Sequence, residues 1–308
     1  MEQFVQGSTI GYIGLGKMGS NMVKRMREFN YNVTATDPNE KARAGAESVG
    51  VDTYETASEV VNALSSPRVV WVMVPHQAVD TVLDELDGNL EEGDLIIEGG
   101  NSPYTATVER SKRFQDQGVH FVDIGVSGGP SGARNGACMM VGGPKEQYDR
   151  LTPLLQILNV DGGYGYMGES GAGHFVKMVH NGIEYGMMQA IAEGFDVMKS
   201  SQYNLDLAEV ARVYSNGSVI ESKLIDDMYE AYLQWGRDLS SVSGSAHASG
   251  EADWTIQAAD ELGVMHSVIS DALEARYKSQ EEPTYQGKVI SALRNKFGGH
   301  ALDQGEDR

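Results

Sequence analysis

TIGYIGLGKMG, residues 9–19, is the stretch that decides the fold. A strand-length apolar run, TIGYIG, passes into Gly14-Leu15-Gly16-Lys17-Met18-Gly19, and Met22, Val23 and Met26 then share one face of a helix. A GxGxxG string alone says little. A strand before it and a helix after it supply the context that a dinucleotide-binding turn requires. A second strand, NVTAT (32–36), ends at Asp37, about 20 residues beyond the fingerprint, as expected of an acid serving the adenosine ribose. The glycines let backbone approach a pyrophosphate, and the helix N-terminus supplies amide donors and a favourable dipole. The expected cofactor-binding residues are therefore Gly14, Leu15, Gly16, Lys17, Met18, Gly19 and Asp37. Asp37 would accept from the ribose hydroxyls and repel a 2′-phosphate, which favours NAD over NADP. Lys41 and Arg43 lie close enough in sequence to reach such a phosphate, so NADP stays open.

The strand–helix alternation continues. VVWVMV (69–74) stops at Pro75, DLIIEGG (94–100) at Asn101, and VHFVDIGVSGG (119–129) at two glycines. In a doubly wound parallel sheet the carboxyl ends of the strands line the ligand crevice. Val74, Pro75 and His76, then Asn101, then Ser127, Gly128 and Gly129 are thereby expected beside the cofactor's reactive end. The glycine-rich passage DGGYGYMGESGAG (161–173) reads as a boundary more than as a strand or helix. Beyond it IESKLIDDMYEAYLQW (220–235), VMHSVISDALEARY (264–277) and GKVISALRNKF (287–297) carry helical periodicity. The expected fold is an α/β Rossmann-like doubly wound domain over 1–165, followed by an all-α domain over 166–308.

The second half opens on GHFVKMVHNGIEYGMMQ (173–189), whose polar residues are oddly placed. Lys177, His180, Asn181 and Glu184 fall at i, i+3, i+4 and i+7, one face of a helix. Phe175, Val176, Met178, Val179, Ile183 and Met187 make the remainder apolar, as in a buried helix. A nicotinamide enzyme oxidising an alcohol must remove the hydroxyl proton as hydride leaves carbon. A lysine does this if burial lowers its pKa. A carboxyl group on the same face acts as an acid if an apolar setting raises its own. A structural Lys177–Glu184 interaction, or a polar seam between helices, accounts for the same spacing.

Composition narrows the class. The balance of 24 basic against 44 acidic side chains, a net charge of −20, argues against nucleic-acid binding. The acid reads either as a solvated surface or as adaptation to high salt, and lysine is scarce. No apolar run approaches the ~20 residues of a membrane helix, and MEQFVQGSTI lacks the basic and apolar regions of a signal segment. Cys138 is the sole cysteine, which fits a cytoplasmic protein, and its GACMMVGG setting suggests core packing. No HExxH or CxxC is present, so no metal site is expected.

Five blocks, GLGKMG (14–19), EGGNS (98–102), GVSGGPSGAR (125–134), GHFVKMVHNGIEYG (173–186) and RNKFGGH (294–300), resemble 6-phosphogluconate dehydrogenase within the β-hydroxyacid dehydrogenase superfamily. At 308 residues the chain resembles the short form, with a single helical repeat. The resemblance implies Lys177 as general base at the C3 hydroxyl and Glu184 as the acid that completes an oxidative decarboxylation to ribulose 5-phosphate, a pentose phosphate pathway step. It implies Asn101, Ser127, Gly128, Gly129, His180 and Asn181 around the sugar, with Tyr185, Thr255, Arg276, Arg294 and His300 toward the phosphate. It also implies a homodimer or homotetramer whose C-terminal segment enters a neighbouring active site. Two departures stand out. Asp37-Pro38-Asn39 replaces the Asn-Arg-Thr of NADP-using members, which supports NAD. Asp253 in DWT (253–255) replaces a basic residue, so either it points away with Lys278 or another cation compensating, or the phosphate is held weakly, or the substrate differs. The alternatives are a non-decarboxylating or unphosphorylated-substrate dehydrogenase of the 3-hydroxyisobutyrate type, and a nicotinamide-sensing module without turnover.

Overall fold

Short β-branched runs that are apolar on both faces belong in a sheet covered on both sides. The computed structural model, which describes residues 3–302, has such a sheet of eight strands. They are β1 (Thr9–Ile13), β2 (Asn32–Thr36), β3 (Asp52–Tyr54), β4 (Val69–Val72), β5 (Leu95–Glu98), β6 (His120–Ser127), β7 (Ala137–Gly142) and β8 (Asn159–Gly168), in the order β3-β2-β1-β4-β5-β6-β7-β8. β7 runs antiparallel to β6; the other pairings are parallel. Seven helices connect the strands: α1 (Lys17–Glu28), α2 (Glu40–Glu47), α3 (Ala57–Asn62), α4 (His76–Leu86), α5 (Tyr104–Gln115), α6 (Gly129–Asn135) and α7 (Lys145–Leu158). One core joins Met22, Val23 and Met26 of α1 to Leu151, Leu154 and Leu155 of α7 across one face of the sheet. On the other face Val79 and Leu83 of α4 and Phe114 of α5 pack against Val70, Val72 and Ile96. The expected α/β fold followed by helices is what the chain adopts.

Two expectations are corrected. The glycine-rich passage is largely strand β8, paired with β7 from Ala137↔Asn159 to Gly142↔Gly168 through register shifts. Its composition hid the strand because a Gly-rich edge strand offers little side-chain patterning. Cys138 is exposed rather than in the core. Strand alternation puts Ala137, Met139 and Val141 on the core face, so Cys138 points the other way.

The chain divides into two compact units, Met1–Met178 and Val179–Arg308, and the division falls inside the helix α8 (Ala172–Ser200). The second unit continues with α9 (Leu207–Tyr214), α10 (Lys223–Trp235), α11 (Glu251–Leu262), α12 (Ser267–Glu281) and α13 (Tyr285–Gly298). Its main core packs Met188 and Phe195 of α8 with Ile225, Met228 and Tyr232 of α10 and Val289 and Leu293 of α13. Among the described residues no helix is long and apolar enough to cross a membrane.

The start of α8 is fastened to the sheet. Asp123 of β6, fully buried, accepts from the Gly171 N–H at 2.7 Å and the His174 N–H at 2.8 Å. A carboxylate satisfying orphan amides at a helix N-terminus also meets the positive end of the dipole. The approach is backbone to backbone. A Cβ on Gly173 would lie 2.5 Å from the Met140 carbonyl, and one on Gly142 would lie 2.6 Å from the Gly173 nitrogen.

Candidate active site

The fingerprint turn of the first unit forms as its glycines require. Gly14 has φ +102, and a Cβ there would lie 2.3 Å from the Met73 carbonyl oxygen and 2.9 Å from Val74 Cγ1. A Cβ on Gly19 would fall 2.0 Å from the Gly14 oxygen. Gly16, the N-cap of α1, is different: it is exposed and a Cβ there would meet nothing within 4 Å. The turn is thus closed on its protein side and open on the other, which fits a pyrophosphate resting on backbone. Lys17 and Met18 open α1, and Leu15 is buried beneath the turn.

Asp37 is pinned at the end of β2. One carboxylate oxygen accepts from the Leu15 N–H at 2.7 Å and the other from the Asn39 N–H at 2.8 Å. Arg43, considered above as a phosphate ligand, donates from Nη1 to the Asp37 carbonyl at 2.7 Å. Val74, Pro75 and His76 follow β4, with Pro75 as N-cap of α4. Asn101 is exposed on the turn after β5, while its neighbour Ser102 is buried. Ser127 ends β6, and Gly128 and Gly129 turn with φ +114 and +59 into α6. The Ser127, Gly128 and Gly129 turn lies two residues beyond Gly125, against which Lys177 packs. A Cβ on Gly125 would fall 2.2 Å from Lys177 Cβ and 3.0 Å from the Gly173 carbonyl. Lys177 is only 7% exposed.

In the second unit α8 buries Tyr185, Met188, Ala192 and Phe195. On its polar face Asn181 is buried, and the His180 and Glu184 side chains are 36% and 23% exposed. Ile183 and Met187, expected to be covered, are exposed at 55% and 42%, as is Val197 at 71%. His180 Nδ1 lies 2.9 Å from Asn181 Oδ1 and 4.0 Å from Glu184 Oε2. A Cβ on Gly182 would meet Thr255 Cγ2 at 2.8 Å, so α11 packs tightly there, and Thr255 Oγ1 donates to the Glu251 carbonyl.

Tyr185 and Arg276 form a stacked pair, the guanidinium carbon 3.3 Å from the ring centroid. Arg276, 2% exposed, also donates to the His247 carbonyl at 3.3 Å and sits 3.4 Å from Met188 Sδ. Burial pushes its pKa down to about 10, opposed by Tyr185, reinforced by Arg294, and opposed again by Glu184 and Glu251. Arg294 is part-buried on α13. His300, beyond its Gly299 C-cap, turns its ring edge to Phe297. Asp253 accepts from the Tyr277 hydroxyl at 2.9 Å. Lys278, offered as its compensating cation, pairs instead with Glu274 one helical turn earlier.

Asp123, Gly125 and Gly173, which seat Lys177, are absent from the residues expected to form the site. An acid inside the apolar run FVDIG was the signal for the first; the glycines gave none beyond their place in quoted motifs. Among the described residues no group of three or more His, Cys, Asp or Glu is arranged to hold a metal ion. Gly125→Ala is expected to lower stability by about 1–3 kcal/mol through overpacking and to speed amide exchange over 173–180. Urea unfolding and hydrogen exchange check this; unchanged values would mean that α8 does not rest on Gly125.

Comparison with known proteins agrees with this architecture. Residues 9–161 match the family model described as the NAD binding domain of 6-phosphogluconate dehydrogenase. Residues 173–202 and 198–307 match that of the 6-phosphogluconate dehydrogenase C-terminal domain. The Bacillus subtilis protein YqeC, provisionally named a 6-phosphogluconate dehydrogenase, is 45% identical over 96% of this chain and 99% of its own. The NAD(+)-dependent, decarboxylating 6-phosphogluconate dehydrogenase of Haloferax volcanii is 38% identical over 97% of this chain and 99% of its own. The solved Plasmodium falciparum 6-phosphogluconate dehydrogenase superposes with a TM-score of 0.79 at 30% identity, covering 97% of this chain and 67% of that one. With both halves matched by the family's models and near full-length relatives above 30% identity, the chain belongs to the 6-phosphogluconate dehydrogenase family.

Proposed function

We propose that the chain catalyses oxidative decarboxylation of 6-phosphogluconate to ribulose 5-phosphate and CO2, with NAD as the preferred dinucleotide. The observation that carries this reading is that α8 buries Lys177 and Asn181 as well as its apolar residues Met178, Tyr185 and Met188. Burying a lysine and an amide costs desolvation that apolar side chains would not, so the polar positions are kept for chemistry. The turn at Gly14–Gly19 and Asp37 would hold the dinucleotide, with Val74, Pro75, His76 and Asn101 toward its reactive end. The Asp37 carboxylate, set by two backbone amides, would accept from the ribose and disfavour a 2′-phosphate. When bound, the nicotinamide supplies the hydride acceptor.

Lys177 would take the proton of the C3 hydroxyl as that carbon is oxidised. The C3 ketone then accepts the electron pair released when the carboxyl carbon leaves as CO2, and Lys177 would return its proton to that oxygen, giving an enediol. Glu184, on the same face of α8, would donate a proton to the carbon that becomes C1 of the product. Asn101, Ser127, Gly128, Gly129, His180 and Asn181 would orient the carboxylate and hydroxyls. Tyr185, Thr255, Arg276, Arg294 and His300 would serve the phosphate end, where a guanidinium fork suits phosphate oxygens. Asp253 favours a second reading, an unphosphorylated β-hydroxy acid as substrate, because a carboxylate repels a phosphate nearby.

We also infer a homo-oligomer. Its support is the apolar stripe of Ile183, Met187 and Val197 on α8, with Val219 and Ile220 also exposed in the second unit. Exposed apolar patches of this kind mark association surfaces. A light-scattering mass of at least two chains is expected; a monomer at micromolar concentration would overturn it.

Purified protein incubated with 6-phosphogluconate and NAD is expected to form reduced cofactor and CO2 together, with NADP the poorer partner. Reduction without CO2, or turnover of unphosphorylated acids alone, would establish the second reading. Neither product at low or molar salt would leave a dinucleotide-binding module. Lys177→Met should lose turnover by about 10²-fold or more, the scale of general base catalysis, while dinucleotide titration stays unchanged. Near-normal turnover would remove Lys177 as the base. Burial lowers the Arg276 pKa to about 10, and the guanidinium stays cationic through the neutral range, where it attracts a phosphate. Arg276→Lys, which loses the planar fork, should therefore raise KM for the phosphorylated substrate by about 10-fold with KM for NAD unchanged; an unchanged KM would exclude Arg276 from the phosphate end.

A further inference from the structure

Behind the turn that carries Asn101 lies a buried ionic network with no part in the steps above. Glu98, fully buried, and Ser102, 2% exposed, flank the turn on either side. Arg110 of α5 ties them together, its Nη1 2.8 Å from Glu98 Oε1 and 3.0 Å from Ser102 Oγ. Its Nε and Nη2 meet the two oxygens of Asp80 on α4 at 2.7 and 2.8 Å. One guanidinium therefore joins both ends of the Glu98–Ser102 turn to the helix that follows Pro75. Burial presses the Arg110 pKa down, but the hydrogen bond to Asp80 and the charges of Glu98 and Asp80 outweigh it, and the net shift is upward. Asp80 is lowered, chiefly by its hydrogen bond to Arg110.

The turn has no slack against which this network could be redundant. A Cβ on Gly99 would fall 2.1 Å from Trp71 Nε1, and one on Gly100 would fall 2.7 Å from the Val74 carbonyl. The Gly99 N–H donates to the Val72 carbonyl at 2.9 Å. The network also extends to α8. Thr107 Oγ1, on α5, lies 3.5 Å from Glu98 Oε2 and 2.8 Å from Nδ1 of the buried His174, one helical turn before Lys177.

We propose that Arg110 is a positioning residue for the reaction, holding Asn101 at the strand end and, through Glu98, Thr107 and His174, the first turn of α8. The proposal rests on the reading that Asn101 and Lys177 serve the chemistry. A buried charge cluster costs desolvation that an apolar cluster would not, so its retention here is for geometry. A planar fork can serve Asp80, Glu98 and Ser102 together. An ammonium group, a point charge, cannot hold the same three in plane.

The test is Arg110→Lys and Asp80→Asn, the latter at a side chain 65% exposed and so tolerant of change. Each is measured by hydrogen exchange over 99–104 and by steady-state kinetics with 6-phosphogluconate and NAD. Arg110→Lys should lower kcat by about 10- to 100-fold, as misplacement of reacting groups does, with KM for NAD nearly unchanged. Exchange over 99–104 should quicken while that over 32–37 does not. Asp80→Asn should move both readouts in the same direction by less, and the double variant should be no worse than Arg110→Lys. The proposal is overturned if both variants keep wild-type exchange over 99–104 and wild-type kcat. It is also overturned if activity falls only with the fraction of folded protein, counted by dinucleotide titration. If Arg110→Lys does not fold, Asp80→Asn decides. Wild-type protein inactive on 6-phosphogluconate would defeat the proposed reaction, and exchange over 99–104 would still decide the role of Arg110.

Discussion

The first turn of α8 lies on bare backbone. Gly125 of β6, Gly142 at the end of β7 and Gly173 at the helix start each lack the Cβ that would push helix and sheet apart. Asp123, buried between them, accepts two amides of that turn. The position of Lys177 follows from this seat, since Lys177 Cβ occupies the space a side chain at Gly125 would claim. A long flexible lysine is a poor candidate for a fixed base unless its stem is held. Here the stem is held by close packing that no larger residue permits.

The same economy runs along the strand ends of the first unit. The fingerprint glycines fold the first turn against β4, and the turn at Gly99 and Gly100 folds against Trp71 and Val74. Neither turn is shaped by its own side chains. Groups at the next layer fix them: Asp37 through two amides, and Glu98 with Ser102 through Arg110. Exposed residues such as Gly16 and Asn101 are thus presented on backbone whose freedom has already been removed, which lowers the ordering cost of binding a ligand.

In the second unit, burial of Arg276 is offset in part by the Tyr185 ring on which it stacks. Cation–π contact and a carbonyl acceptor act beside the charges of Glu184 and Glu251, which also favour the charged guanidinium. Asp253, accepting from Tyr277, puts an opposing charge in the same helical unit.

The sequence by itself determined the dinucleotide fold, because a Gly-rich turn after a strand and an acid after the next strand follow from local stereochemistry. It determined the polar stripe of α8, because helix periodicity is a property of spacing alone. Spacing says that Lys177 and Asn181 share a face, but only packing decides that these two are buried while Ile183 and Met187 of the same helix are exposed. β8 escaped detection for a related reason, since Gly-Gly-Tyr-Gly-Tyr acquires strand character from pairing with β7 and has little of its own. The seat of Lys177 and the Arg110 network join residues tens of positions apart, from Asp80 to His174. Such contacts are non-local, set by the close approach of β4, β5, β6 and α8, and only the tertiary structure decides them.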